Sequence, residues 1–133
     1  MPTRRAPLKR TRMKDYRSEP AFPPALRAQV FERADGLCEA RLPGCLGQAG
    51  QGCHRKHRGQ GGRPLGDDER LSNAWAGCAV CHRWTHDNPA EAKDLGLMLE
   101  NWQDPRSEPM AYQNTGWVVL DDDGGLWPWG EAS

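Results

Sequence analysis

Nowhere in these 133 residues does an apolar run approach the roughly 20 residues that cross a bilayer as a helix. The basic N-terminus also lacks the apolar stretch of a secretory signal, so a cytosolic setting is expected. Apolar residues make up only 37% of the chain, alongside 15 glycines and 11 prolines. That is thin for one core of this length and leaves no room for a second. Something besides apolar burial has to help hold the fold, and 5 cysteines point to it. In a reducing compartment cysteines bind metal more often than they pair, and an odd number would leave one sulfur over in any disulfide scheme. No internal repeat is present.

Net charge is missing too, since 18 Lys and Arg offset 18 Asp and Glu. The balance hides a division. Residues 1–63 hold 14 Lys and Arg against 5 Asp and Glu, while residues 64–133 hold 4 against 13. A basic half is the electrostatic footprint of a polyanion partner; the plain alternative is a solvated basic tail.

What is present divides the chain into three. Residues 1–20, with seven basic residues and no apolar periodicity, read as a disordered arm able to lie along phosphates. Residues 21–105 read as a folded core and 106–133 as an extension with one strand, in GWVVLDDDGG. Within the core, Pro24 suits a first helical turn, Leu26, Val30 and Phe31 form an apolar stripe for packing, and Gly36 ends the helix. GQAGQGCHRKH is too glycine-rich for a helix and reads as an irregular strand. A second helix starts near Cys78 and breaks at Pro89; Asn88 is placed to cap a third, which Gly96 closes. Trp127 and Trp129 suggest a packing flap.

Cys38 and Cys45 flank a Pro-Gly turn, and Cys78 and Cys81 have the two-residue spacing of a metal knuckle. Four thiolates complete a tetrahedral zinc site; buried, unliganded thiols are the alternative. A structural zinc would contribute folding energy directly and would bring GCHRKH near CHRWTH. His82 and His86, four apart on a helix, share a face and suit one metal ion. Adjacent strand residues face opposite ways, so Cys53 and His54 could serve one centre only if the strand bends, which Gly52 would permit.

The order Cys…Cys, a His followed by a basic Gly-Gly loop, an Asn, then CAVCH with a further His four on resembles the HNH endonucleases. The closest likeness is to small phage and prophage members found beside DNA-packaging genes. It covers roughly residues 25–100. The resemblance implies a small α+β fold, a ββα-metal core stapled by a four-cysteine zinc knuckle. It implies that His54 is the general base, that the Asn73 side chain fixes the loop between the strands, and that His82, with His86, binds a catalytic divalent ion, whether Mg, Mn, Ni or Zn. The chemistry expected is hydrolysis of DNA phosphodiester bonds, with a terminase or other packaging protein as a further partner. A neutral imidazole can take a proton from water near neutral pH, a hard cation can polarise phosphate, and Arg55, Lys56, Arg58 and Arg63 would hold flanking phosphates.

Cys53 departs from the pattern, because many relatives place His or Asp there as a ligand. A thiolate is a soft ligand suited to zinc or nickel. Cys53 is thus a working soft ligand, a bystander, or the mark of a weakened site. The competing function is a catalytically silent, zinc-stabilised module that binds DNA or a packaging partner. A transcription regulator is less suited, for want of a recognition helix with base-reading residues.

Overall fold

The structure, a computed structural model, describes residues 22–56, 69–113 and 115–129. The basic arm, Arg58 and Arg63 lie outside the described residues. Among the described residues the fold is small and mixed, with three helices and two antiparallel sheets. Helix α1 (Pro24–Ala34) is followed by strand β1 (Gln51–His54), a 3-10 turn (Leu71–Asn73) and strand β2 (Ala74–Gly77). Helices α2 (Ala79–Asp87) and α3 (Pro89–Asp94) come next, then strands β3 (Met110–Tyr112), β4 (Gly116–Leu120) and β5 (Leu126–Pro128). No helix among the described residues is long and apolar enough to cross a membrane.

The β1–β2 hairpin is the centre of the layering. Its register runs without a bulge from Gln51 opposite Gly77 to His54 opposite Ala74. Alternation therefore puts Gln51, Cys53 and Trp75 on one face and Gly52, His54, Ala74 and Ala76 on the other. The second face packs against α1, where Val30 is fully buried with Phe22, Ala34 and Leu71. The first face joins the larger core, in which Cys53 and Trp75 meet Cys38, Cys78, Cys81, Leu97, Met110 and Leu120. Both faces being covered, β2 is buried at every position.

Helix α1 starts with proline in its first turn, and its apolar stripe packs as expected, with Leu26 and Phe31 half-buried beside Val30. It ends in two successive left-handed residues, Asp35 (φ 57°) and Gly36 (φ 76°), so the glycine shares the stop with an aspartate. Asn88 differs from expectation. Its side chain makes no cap on α3 and instead donates through Nδ2 to the Trp84 carbonyl of α2 at 3.0 Å. Gly96 closes α3 at φ 75°, where a Cβ would collide with the carbonyl oxygen of Pro109.

Two buried arginines tie these layers together. Arg33 of α1 makes a two-pronged pair with Glu39, at 2.8 and 3.0 Å, and donates to the carbonyls of Leu71 and Ala74. Glu39 in turn accepts from the Ala76 N–H at 2.8 Å. Arg55 is fully buried, and its guanidinium donates to five backbone carbonyls: Ser72, Gly96, Pro105, Glu108 and, at 3.4 Å, Pro109. Burial, with the nearby Arg33 cation, lowers its pKa to about 10, so it keeps its charge at neutral pH.

Three expectations change as a result. Arg55 has its donors turned inward and is a structural post, not a phosphate contact. Lys56 is nearly buried, and its ammonium reaches the Asn101 carbonyl at 3.3 Å rather than facing outward. Contacts also cross residue 105, because Glu108 and Pro109 join Pro105 in the Arg55 cage. The C-terminal segment forms a three-stranded sheet in the order β3-β4-β5, not one strand, and buries Met110, Val118 and Leu120 in the larger core.

Replacing Arg55 with lysine should therefore destabilise the fold by at least about 3 kcal/mol, since one ammonium cannot reach carbonyls on three sides. Urea unfolding of wild type and Arg55→Lys measures this. A midpoint unchanged by the substitution would show that the carbonyls are satisfied without the fork.

Candidate functional site

The four knuckle cysteines converge as their spacing suggested. The sulfurs of Cys38, Cys45, Cys78 and Cys81 all lie within 4.8 Å of one another. A tetrahedral ion with Zn–S bonds of about 2.3 Å needs sulfur–sulfur edges of about 3.8 Å, and the Cys45–Cys78 separation is 3.8 Å. The first pair is brought together by a tight turn with Arg41 (φ 51°) and Gly44 (φ 86°) in left-handed backbone, closed by the Cys45 N–H on the Leu42 carbonyl at 2.9 Å. The second pair is placed by a helix start. Cys78 caps α2, its sulfur accepting the Cys81 N–H at 3.3 Å and the Leu46 N–H at 3.4 Å. Gly47 donates to Cys45 in the same way at 3.2 Å.

These backbone donors matter for the charge of the site. Burial works against a Cys78 thiolate, but the Leu46 and Cys81 N–H groups outweigh it and bring the pKa to about 7. Burial pushes the Cys45 and Cys81 thiols up, with the Cys38 sulfur adding to the rise in both. Four thiolates this close are stable together only around a cation, so geometry and chemistry both fit a metal such as zinc. Cys53, the fifth cysteine, is buried beside Trp75 and stands outside the group of four.

Asn73 is completely buried and grips the chain just beyond β1. Its Oδ1 accepts the Lys56 N–H at 2.8 Å and its Nδ2 donates to the Lys56 carbonyl at 3.2 Å. Its own carbonyl accepts the Arg55 N–H at 2.9 Å. The residue thus extends the hairpin by one more rung, using a side chain where the ladder has ended.

His82 and His86 lie one turn apart on α2 with their rings edge to face, centroids 4.8 Å apart. Their Nε2 atoms are 3.1 Å apart. On metal–nitrogen bonds of 2.0–2.1 Å that separation corresponds to an angle at the ion of about 100°, between tetrahedral and octahedral values. The Nδ1 of His82 bonds to the Gln51 side-chain oxygen. That contact fixes the orientation of the His82 ring, which turns its Nε2 toward the Nε2 of His86. Gln51 was not among the expected residues. Its signal is its position two before Cys53 on the same strand face.

His54 is placed differently. It ends β1 on the α1 face, stacked on Phe22 with ring centroids 3.8 Å apart and planes at 17°. Its Nε2 is 3.9 Å from a carboxylate oxygen of Glu69, a residue that was not among the expected ones. The strand does not bend at Gly52. Cys53 and His54 consequently face opposite layers, and His54 is on the other side of the hairpin from the Gln51–His82 contact. Among the described residues, the four cysteines are the one group of three or more side chains arranged to hold a metal.

No protein family, characterised protein or solved structure matches the chain.

Cys81→Ser should lose the bound metal and most of the folded structure together, because this sulfur is fully buried at the junction of both pairs. Mass spectrometry for metal content, paired with circular dichroism, checks it. Well-folded wild-type protein without metal would show that the four thiols pack without an ion.

Proposed function

We propose that the chain is a metal-dependent endonuclease that hydrolyses DNA phosphodiester bonds, resembling the HNH enzymes of phage packaging modules. The observation that carries this reading is the His82–His86 pair, two imidazoles with Nε2 atoms 3.1 Å apart and one ring oriented by Gln51. A divalent cation there would polarise a phosphate and stabilise a leaving 3′ oxygen. His82 and His86 would hold it through Nε2. Asn73 would keep the turn after β1 at a set distance from the hairpin. His54 would take the proton of an attacking water at Nε2, with the Glu69 carboxylate beside it to balance the charge gained.

With Arg55 and Lys56 committed to carbonyls, phosphate binding in this reading falls to Arg58, Arg63 and the basic arm. A terminase or other packaging protein is the partner that the resemblance suggests. Cys53, turned toward Trp75 and the larger core, fits the bystander reading best.

A second reading has one specific observation in its favour. His54 stacks on Phe22, on the opposite hairpin face from His82. A zinc-stabilised module that binds DNA without cutting it needs no approach between those residues.

Plasmid nicking by metal-stripped protein, with Mg, Mn, Ni and Zn restored separately, separates the two. On the nuclease reading His54→Ala should lose about a hundredfold or more in nicking while binding the added ion as wild type does. His82→Ala and His86→Ala should lose both the ion and the cleavage. DNA binding with no nicking under any metal, or His54→Ala cutting at the wild-type rate, would leave the binding module as the better account.

A further inference from the structure

The C-terminal sheet has two unlike faces. Met110, Val118 and Leu120 point into the core. In the register of β4 and β5, Trp117 opposes Trp129 and Val119 opposes Trp127, so three tryptophans line the other face. They are 38%, 58% and 50% exposed. Three large aromatics on one small outward sheet are not a flap folded over the core. They leave apolar surface in water, which marks an interaction site more often than an accident of composition.

The patch is also ordered. Trp127 donates through Nε1 to Asp121 at 2.8 Å, and the same carboxylate accepts the Gly125 N–H. Those hydrogen bonds lower the pKa of Asp121, beginning with that of Trp127. Trp117 and Trp129 form a tilted pair, with ring centroids 6.4 Å apart and planes at 58°. The turn joining the two strands, Asp121–Gly125, opens with three aspartates, so one end of the patch is acidic. Asp122 is partly engaged by Ser72 and Arg70, whereas Asp123 is exposed.

These features choose among occupants. Tryptophan faces stack on nucleic-acid bases, but the carboxylates at one end repel the phosphates that would come with them. An added β-strand along β5 is disfavoured as well. Trp129 donates its N–H inward to the Trp117 carbonyl at 3.0 Å, so the neighbouring Pro128 occupies a position whose N–H would face outward, and proline has none. What remains is a segment that lies across the face and presents cations to aromatic rings and carboxylates.

We propose that this tryptophan face is a docking surface for an extended, arginine- and proline-bearing segment of a partner protein. Arginine stacks on the exposed faces of the Trp117–Trp129 pair, prolines lie on Trp127, and Asp121 and Asp123 meet further cations. The surface belongs to the C-terminal sheet and does not depend on whether His54, His82 and His86 cleave DNA.

The test uses the full chain with its metal in place. A fluorescein-labelled peptide of repeated Arg-Pro-Pro units is titrated by anisotropy, beside the same peptide with Glu for Arg and a labelled oligo-dT. The arginine peptide should bind, more weakly as salt rises, and the glutamate peptide and oligo-dT should not bind through this face. Trp129→Ala and Asp123→Asn should each weaken peptide binding about tenfold, the first through lost stacking and the second through lost charge. Circular dichroism of both variants, which alter exposed side chains only, should match wild type. No binding of the arginine peptide, or binding unchanged in Trp129→Ala, overturns the proposal. Oligo-dT binding abolished by Trp129→Ala would assign the face to nucleic acid instead. Concentration-dependent self-association lost in Trp129→Ala, seen by sedimentation velocity, would assign it to a second copy of this chain.

Discussion

The Arg55 guanidinium is the point on which the rest of the structure hangs. It is a buried cation that meets no carboxylate in its hydrogen-bond shell among the described residues, held by carbonyls from the 3-10 turn, the end of α3 and the segment before β3. Each of those carbonyls lies in irregular backbone, where helix and sheet ladders provide no donor. One planar fork meets them all, at distances near 2.9 Å. Without it, several buried acceptors and the turns that carry them would have to reach water or rearrange. The four-cysteine cluster does the complementary task on the other flank, joining the turn at residues 38–45 to the start of α2. Between these two attachments a short hairpin is covered on both faces with little apolar material to spare.

This arrangement changes the meaning of the charge division. The surplus in residues 1–63 counts Arg33 and Arg55, yet both are interior and their cations are spent on Glu39 and on carbonyls. The positive field available to a polyanion is therefore smaller than the count implies, and it rests mainly on residues before the first helix and after the hairpin's first strand. The acidic surplus of the C-terminal half stays largely outside, on turns such as Asp121–Asp123. Interior cations and exterior carboxylates give the described surface a more acidic character than the sequence balance suggests.

Legibility from sequence followed the range of the interactions. The knuckle was readable because its chemistry is local: two cysteines around a turn and two at a helix start need only each other. The start and stop of α1 were readable for the same reason, through Pro24 and Gly36. Period-two alternation already said that Cys53 and His54 oppose each other unless the strand bends, and the unbent register kept them apart. Arg55 was not readable, because a guanidinium suits phosphate and carbonyl oxygen equally, and only the packing of distant segments decides which it meets. Strands β3 and β5 are three residues each, one containing proline, too short for a periodic signal. Glu69 escaped notice because its link to His54 crosses fourteen residues of intervening chain.

The Arg55 cage also bears on the order in which the molecule can be completed as it leaves the ribosome. Its acceptors lie 17, 41, 50, 53 and 54 residues further along the chain. When β1 is made, only water can satisfy the arginine that follows it, and the cage stays incomplete until residues 105–109 have emerged. A hairpin burying a solvated guanidinium early would carry the desolvation cost with no partner. The chain is thus biased to keep β1 open until the segment before β3 arrives, so that the hairpin and the C-terminal sheet close as one event rather than in the order of synthesis.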